Sequence, residues 1–143
     1  MRISTKGRYA IKLMLDLATN DNGEPIRLKD VARRQEISEK YLETIVRFLT
    51  QEGLVSGVRG KGGGYRLTRK PEEYTAAEIL SVAELSLSPV ACLEKGAAPC
   101  PRADQCRTLP LWQGLDHVVY DYLSHYTLKD LVDQTHQTRE ASE

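Results

Sequence analysis

The middle of the chain, residues 28–67, reads LKDVARRQEISEKYLETIVRFLTQEGLVSGVRGKGGGYRL. Apolar residues within 28–35 and within 38–49 recur at intervals of three and four, which predicts two amphipathic helices joined by a short turn. Ser38 is the predicted N-cap of the second helix, because a serine hydroxyl can accept a hydrogen bond from an early backbone N–H. Strand-forming residues then flank the glycine-rich stretch 60–64, which predicts a β-hairpin.

Further helices are predicted on both sides of this segment. Upstream, apolar residues from Ala10 to Leu17 recur at helical spacing. Downstream, Thr75-Ala76-Ala77-Glu78 matches a capping box that opens a short helix, and Pro110 suits the first turn of a long last helix. The sequence therefore predicts a mainly α protein with a small β-hairpin wing.

The order of these elements and the distribution of charge both point to DNA. Two helices joined by a turn and followed by a hairpin are typical of a winged helix-turn-helix, whose second helix enters the major groove while the hairpin reaches the adjacent backbone or minor groove. The chain has 20 basic and 20 acidic side chains, but residues 1–70 carry 15 and 8, a net charge of +7. Residues 71–143 carry 5 and 12, a net charge of −7. A basic first half favours a polyanionic partner such as nucleic acid.

The polar side of the second helix and the wing tip carry the candidate DNA contacts. Basic and hydroxyl side chains suit phosphates, whereas a carboxylate there, Glu43, is best explained as an acceptor for the cytosine N4–H group. Arg33 and Arg34 are predicted to face outward, either as part of a binding surface or as an ordinary solvated helix face. The candidate residues are Ser38, Lys40, Tyr41, Glu43 and Arg47 on the helix and Arg59 and Lys61 at the wing tip.

The last helix carries two apolar rows, more than a single surface helix buries by itself. One row is expected to pack on the first helix, and the other suits antiparallel pairing with a second copy of the chain. Such a homodimer would present two recognition helices to a pseudo-palindromic site. The alternative is that both rows pack within one chain. The rows are Trp112, Leu115, Val119, Tyr122 and Tyr126, and Leu111, Leu115, Val118 and Tyr122.

The three cysteines, Cys92, Cys100 and Cys106, lie between these helices with seven and five residues separating them. An odd number disfavours a paired disulfide scaffold. Three thiolates on one loop can converge on a soft or borderline metal. The absence of a C-x-x-C pair removes the usual zinc signature, whereas an iron–sulfur cluster tolerates irregular spacing. The alternative is three unrelated thiols.

Several stretches of the chain match one known family of regulators. They are Lys6-Gly7-Arg8-Tyr9-Ala10, Ile37-Ser38 with Tyr41-Leu42-Glu43, Val58-Arg59-Gly60-Lys61-Gly62-Gly63-Gly64-Tyr65, the three cysteines and Leu111-Trp112. Over nearly its full length the chain resembles the IscR-type family of bacterial winged-helix regulators, which includes the NsrR and CymR groups.

The resemblance implies a homodimer on double-stranded promoter DNA, with Ser38, Tyr41 and Glu43 at the major groove and Arg59 in the minor groove. It also implies an iron–sulfur cluster on Cys92, Cys100 and Cys106. The chain departs from the IscR pattern in having seven residues, not five, between the first two cysteines, and Leu109 where IscR has a histidine ligand. A fourth ligand would come from Asp104, His117, an acidic residue of the partner's first helix or a small molecule, and the cluster type, 2Fe-2S or 4Fe-4S, stays open.

The expected function is that of a transcriptional regulator whose cluster senses iron–sulfur status, redox state or nitric oxide. The alternatives are a cluster-free regulator of the CymR type, which responds to thiol oxidation or a partner enzyme, and a small iron–sulfur electron carrier. An enzyme is not expected, because the three histidines, His117, His125 and His136, have no acid–base constellation around them.

No apolar run or signal peptide indicates a membrane, so the expected location is the cytoplasm. The predicted organisation is a winged helix-turn-helix DNA-binding domain (1–70), a connecting helix (71–87), a cysteine-rich cluster-binding loop (88–109), a dimerisation helix region (110–133) and a flexible tail (134–143).

Overall fold

The computed structural model of the protein describes residues 2–141, with side chains as far as Gln134. Most of these residues lie in six α-helices and one two-stranded antiparallel hairpin. Three short 3₁₀ turns lie in the segments that connect these elements. The predicted class, mainly α with a β-hairpin wing, is confirmed. The helices and strands are α1 (Thr5–Thr19), α2 (Leu28–Gln35), α3 (Glu39–Gln51), β1 (Val55–Val58), β2 (Gly64–Leu67), α4 (Ala76–Ala83), α5 (Leu109–His125) and α6 (Leu128–Ala141).

One hydrophobic core joins α1, α2 and α3 to α4 and α6. Leu13 and Met14 of α1 are fully buried together with Leu42 of α3, Ile79 of α4 and Leu128 of α6. The predicted amphipathic stripes of the first three helices therefore face the same core. No helix within residues 2–141 is long and apolar enough to cross a membrane.

The turn between α2 and α3 is three residues long and is fixed by the backbone. Glu36 ends α2 in the left-handed region (φ 55°, ψ 46°), and its N–H donates to the Ala32 carbonyl, as does the N–H of Ile37 at 3.1 Å. Ile37 is buried, and the hydroxyl of Ser38 accepts from the Tyr41 N–H at 3.0 Å. The predicted N-cap is confirmed, and the turn sets the direction in which α3 leaves α2.

Arg34 is exposed, as the helical pattern of α2 predicted, but its guanidinium also binds a buried carboxylate of α1. Its Nε and Nη2 atoms donate to the two carboxylate oxygens of Asp16 at 3.0 and 2.7 Å, and the Gln35 amide donates to the same group at 2.9 Å. Asp16 is only 2 % exposed, so this network satisfies a buried charge and fastens α2 to α1. Arg33, which is also exposed, lies 3.6 Å from Asp30.

The wing is a hairpin with one additional bridge. Val55 pairs with Leu67 and Val58 with Gly64, and Ile26 forms a further antiparallel bridge with Tyr65 through two 2.8 Å hydrogen bonds. Gly64 has a positive φ of 155°, and a Cβ there would collide with the Ile26 carbonyl. The bridge therefore brings the segment before α2 against the wing.

Helix α4 connects the core to the cysteine loop. Thr75 is its N-cap and accepts from the Glu78 N–H at 3.1 Å, as the capping-box pattern predicted, but the Glu78 carboxylate binds Arg69 instead. At the other end, the Glu84 carboxylate accepts from the backbone N–H of Ser4 at 2.7 Å and from its hydroxyl at 2.9 Å. A Cβ on Gly7 would collide with this carboxylate, so α4 closes on the start of α1.

Helix α5 lies against α4, not chiefly against the first helix as predicted, whereas α6 packs on α1. None of the 17 residues of this fully described helix is buried. Trp112 and Val119, which were grouped with Leu115 and Tyr122 in one predicted row, are only half-exposed. The exposed residues Leu111, Leu115, Val118 and Tyr122, the apolar stripe of α5, are 62, 36, 62 and 61 % exposed.

The end of the chain is helical where a flexible tail was predicted. The backbone of α6 runs over Leu128–Ala141, so the predicted tail from residue 134 overlaps a helix, and residues 142 and 143 lie outside the described residues. At the start of α6, the Thr127 N–H donates to the Asp130 carboxylate, and the Asp130 N–H donates to the Thr127 hydroxyl.

Candidate DNA-binding groove and cysteine loop

The predicted DNA contacts of α3 lie together on its exposed side. Lys40, Tyr41, Glu43 and Arg47 are all solvent-exposed, while Leu42, Ile45, Val46 and Leu49 of the same helix are buried. The Ser38 oxygen is occupied by the N-cap bond, and its hydroxyl hydrogen has no partner within the described residues, so it remains available as a donor.

An open groove of about 900 Å³ separates α3 from the wing. Glu43 and Arg47 line it from the helix, and Arg59 lines it from the wing. Arg27 and Lys29, at the start of α2, line it as well. Sequence reasoning missed these two cations, because they reach the groove through the Ile26–Tyr65 bridge, which joins residues far apart in the chain.

The charged side chains of the groove are uncommitted. In the part of the chain that the structure describes, Glu43, Arg47 and Arg59 have no ion-pair partner, although Glu43 and Arg47 are one helical turn apart. Cations held in place without a counterion are suited to phosphates, and a free carboxylate is suited to an amino group on a base edge.

The wing tip holds its two basic residues on a closed turn. The Gly63 N–H donates to the Gly60 carbonyl at 2.9 Å, and a Cβ on Gly63 would collide with the Val58 carbonyl. Arg59 and Lys61 are both exposed at this tip, which places them beyond the strands and next to the groove.

Two exposed aromatic residues of α3, Tyr41 and Phe48, also contact α1. The rings of Tyr9 and Tyr41 meet edge to face at 5.6 Å, and the Lys6 ammonium lies 3.7 Å from the centre of the Phe48 ring. The Lys6-Gly7-Arg8-Tyr9-Ala10 motif therefore supports α3 directly. Neither pair was predictable from sequence periodicity, because the members of each pair are separated by more than thirty positions.

The three cysteines are free thiols on the loop between α4 and α5. Cys92 and Cys100 are exposed and Cys106 is half-exposed. Within residues 2–134, no three His, Cys, Asp or Glu side chains lie close enough together to hold a metal ion. Thiolates are suitable donors for an iron–sulfur cluster. The described loop is open, and it brings no three of the thiols and the candidate ligands Asp104 and His117 together.

Cys106 differs from the other two thiols in its surroundings. Its Sγ lies 3.4 Å from the Thr108 hydroxyl, and hydrogen bonds from this hydroxyl and then from the Thr108 backbone N–H lower the pKa of the Cys106 thiol. A lowered pKa favours the thiolate, which is the form that binds metals and reacts with oxidants.

Comparison with known proteins agrees with this architecture. Residues 3–134 match the family model described as Rrf2, iron-dependent transcriptional regulator. The chain is 40 % identical over 133 residues to the HTH-type transcriptional regulator IscR of Escherichia coli K12, covering 93 % of this chain and 81 % of that one.

Solved structures give the same result. CymR, described as the global cysteine regulator of B. subtilis, is 36 % identical with a TM-score of 0.75, covering 94 % of this chain and 98 % of that one. IscR of T. potens is 31 % identical with a TM-score of 0.75, covering 94 % and 88 %. These relatives are named as transcriptional regulators, not as enzymes, and the chain therefore belongs to the Rrf2 family of transcriptional regulators.

Proposed function

We propose that the protein is a homodimeric, DNA-binding regulator of promoters whose affinity for DNA depends on the state of its cysteine loop. The observation that carries the DNA part is the groove between α3 and the wing, where the charged side chains have no ion-pair partner in the described chain. Ser38, Lys40, Tyr41 and Arg47 would contact phosphates, and Glu43 would accept from a cytosine amino group.

The wing completes this mode of binding. Arg59 would enter the minor groove beside the helix, where a narrow groove concentrates negative potential, and Lys61 would contact the backbone. Arg27 and Lys29 add two further cations to the lining of the groove. Because the acidic half of the chain repels phosphate, nonspecific affinity should come mainly from residues 1–70.

Dimerisation is supported by the apolar stripe of α5. Leu111, Leu115, Val118 and Tyr122 form a continuous exposed row on a helix that buries none of its residues in the single chain. Pairing two such rows would remove them from water, and a two-fold dimer would place two α3 helices about one turn of DNA apart.

The sensing part rests on Cys92, Cys100 and Cys106, which would hold an iron–sulfur cluster. When bound, such a cluster supplies a group that responds to oxidants and nitric oxide. The loop joins α4, which contacts the start of α1 through Glu84, to α5, so closing or opening the loop would act on both the DNA-binding unit and the dimer helix.

A cluster-free regulator is the second candidate. It is favoured by the open arrangement of the thiols and by the lowered pKa of Cys106, which suits direct oxidation of the thiolate. The likeness to CymR, a cysteine regulator, is compatible with this candidate.

Selection from a library of random DNA duplexes tests the DNA proposal. Purified protein is expected to enrich pseudo-palindromes whose half-site centres lie about one helical turn apart, roughly 34–36 Å. Enrichment should persist at physiological salt, since specific binding exceeds nonspecific binding by about 10³-fold or more. Failure to enrich any sequence, in both the anaerobically purified and the oxidised protein, contradicts the proposal.

Anaerobic purification separates the two sensing candidates. The cluster proposal predicts that the wild-type protein is coloured and contains stoichiometric iron and sulfide. The colour, the iron and the sulfide should be lost when Cys92, Cys100 and Cys106 are changed together to serine. The operator affinity of this variant should differ from that of the wild type by about 5- to 150-fold. Colourless protein without iron, whose operator binding changes on peroxide treatment only while Cys106 is present, supports the cluster-free regulator instead. A Ser124→Ala variant, altered at an exposed α5 hydroxyl away from the loop, serves as the control.

A further inference from the structure

Among the residues whose side chains are described, Tyr74 has the largest fully buried side chain, and the function proposed above does not use its hydroxyl. Its hydroxyl donates to the Leu54 carbonyl at 2.7 Å and accepts from the backbone N–H groups of Thr68 and Arg69 at 2.9 and 3.0 Å. One donated and two accepted bonds use the full hydrogen-bonding capacity of a phenol.

These three partners are the residues at which the wing joins the rest of the chain. Leu54 directly precedes β1, and Thr68 and Arg69 directly follow β2; we refer to the three as the wing base. A single buried hydroxyl therefore ties both legs of the hairpin to the residue that precedes the N-cap of α4. The Thr68 hydroxyl closes the base further by donating to the Gly53 carbonyl at 2.7 Å.

A charged pair makes a second attachment between the wing base and α4. The Arg69 guanidinium lies 4.3 Å from the centre of the Tyr74 ring and binds the Glu78 carboxylate, with Nη1 to Oε2 at 3.2 Å. The same Nη1 donates to the Glu73 carbonyl at 3.1 Å. The ring, the guanidinium and the carboxylate thus form one stack from the wing base to the first turn of α4.

Because the wing is long, a small change in its angle at the base displaces its tip by several ångströms. Arg59 lies five positions beyond Leu54, so at the strand rise the tip is about 16 Å from the base, and a tilt of about 10° at the base moves the tip by roughly 3 Å. Displacements of that size take a guanidinium out of a minor groove.

We propose that Tyr74, with Arg69 and Glu78, is the positioning device of the wing: it fixes the angle between hairpin and α3 and thereby places Arg59 on the operator. Tyr74 does not touch DNA and acts through Arg59. This inference rests on the proposed DNA-binding function and extends it to three residues outside the groove.

A double-mutant cycle tests it, with the selected operator and a scrambled duplex as probes. Tyr74→Phe removes only the hydroxyl, and we expect it to weaken operator binding about 5- to 10-fold while binding to the scrambled duplex stays within about twofold. In an Arg59→Ala background, the same substitution should have an effect of less than about twofold, because the residue it positions is gone. Tyr120→Phe, at an exposed tyrosine of α5, is the matched control and should bind as the wild type does.

The outcomes separate this inference from the proposed function. Wild-type protein that prefers no duplex overturns both. Two other outcomes overturn the positioning role alone, provided that the wild type binds the operator specifically. In one, Tyr74→Phe binds the operator as tightly as the wild type, even if its melting temperature is lower. In the other, Tyr74→Phe weakens operator binding equally in the wild-type and Arg59→Ala backgrounds. Should Tyr74→Phe not fold, Glu78→Gln carries the same cycle, since it leaves the buried hydroxyl in place.

Discussion

Changing Leu115 and Val118 together to glutamate is expected to convert the protein to a monomer and to abolish tight operator binding. Both side chains lie in the exposed apolar stripe of α5, and each carboxylate would have to be desolvated without a counterion in a dimer interface. Because linking two binding units raises affinity by about 10²- to 10⁴-fold, loss of the second half-site should cost at least about 100-fold in operator affinity.

Light scattering coupled to size-exclusion chromatography measures the first effect, and a mobility shift on the full operator measures the second. Gln113→Glu with Tyr120→Glu is the matched control, because these exposed residues lie on a different side of α5 from the stripe and add the same number of carboxylates. A dimeric Leu115→Glu, Val118→Glu variant with wild-type affinity would show that the stripe is not the interface.

Removing the guanidinium of Arg59 is the second change with a large expected effect. Arg59→Ala should weaken operator binding by about 5- to 150-fold per half-site, the range of one well-placed base or groove contact. The loss should fall mainly on the operator and relax the sequence preference at the positions beside the wing. Lys61→Ala, at the same tip, should instead weaken specific and nonspecific binding alike and reduce the salt slope by about one per half-site.

Arg59 and Lys61 lie at the same wing tip, carry the same charge and are both exposed, so comparing the two variants controls for the charge of the wing. Salt-titrated mobility shifts on the operator and on a scrambled duplex give both slopes. Operator binding by Arg59→Ala that equals the wild type would remove the wing from the DNA site, and identical behaviour of the two variants would reduce Arg59 to a phosphate contact.

Features determined by neighbouring residues were predictable from the sequence. Ser38 and Thr75 cap their helices as their positions predicted, and the β1–β2 hairpin forms around the glycines because its two strands are close in sequence. Features that depend on distant partners were not predictable. The helical position of Arg34 does not reveal that its guanidinium binds Asp16, eighteen positions earlier, and Tyr74 gives no sign of the two hairpin legs that meet at its hydroxyl.

In the cysteine loop and in α5, residue spacing identifies candidate residues but does not determine which of them meet or are buried. The spacing of Cys92, Cys100 and Cys106 identifies a candidate ligand set, but spacing along a loop does not determine whether the thiols meet. On α5, both predicted rows have helical spacing, and only the position of α4 distinguishes the half-buried Trp112 and Val119 from the exposed stripe.

The closed turn at the wing tip also bears on the thermodynamics of recognition. Because the Gly63 N–H is hydrogen-bonded to the Gly60 carbonyl and Gly63 has no room for a side chain, the turn at the tip is already closed without DNA. The conformational entropy of that loop is lost when the protein folds and not when it binds. The free energy of the Arg59 contact is then available to discriminate between operators, and the wing acts as a preorganised reader of groove shape.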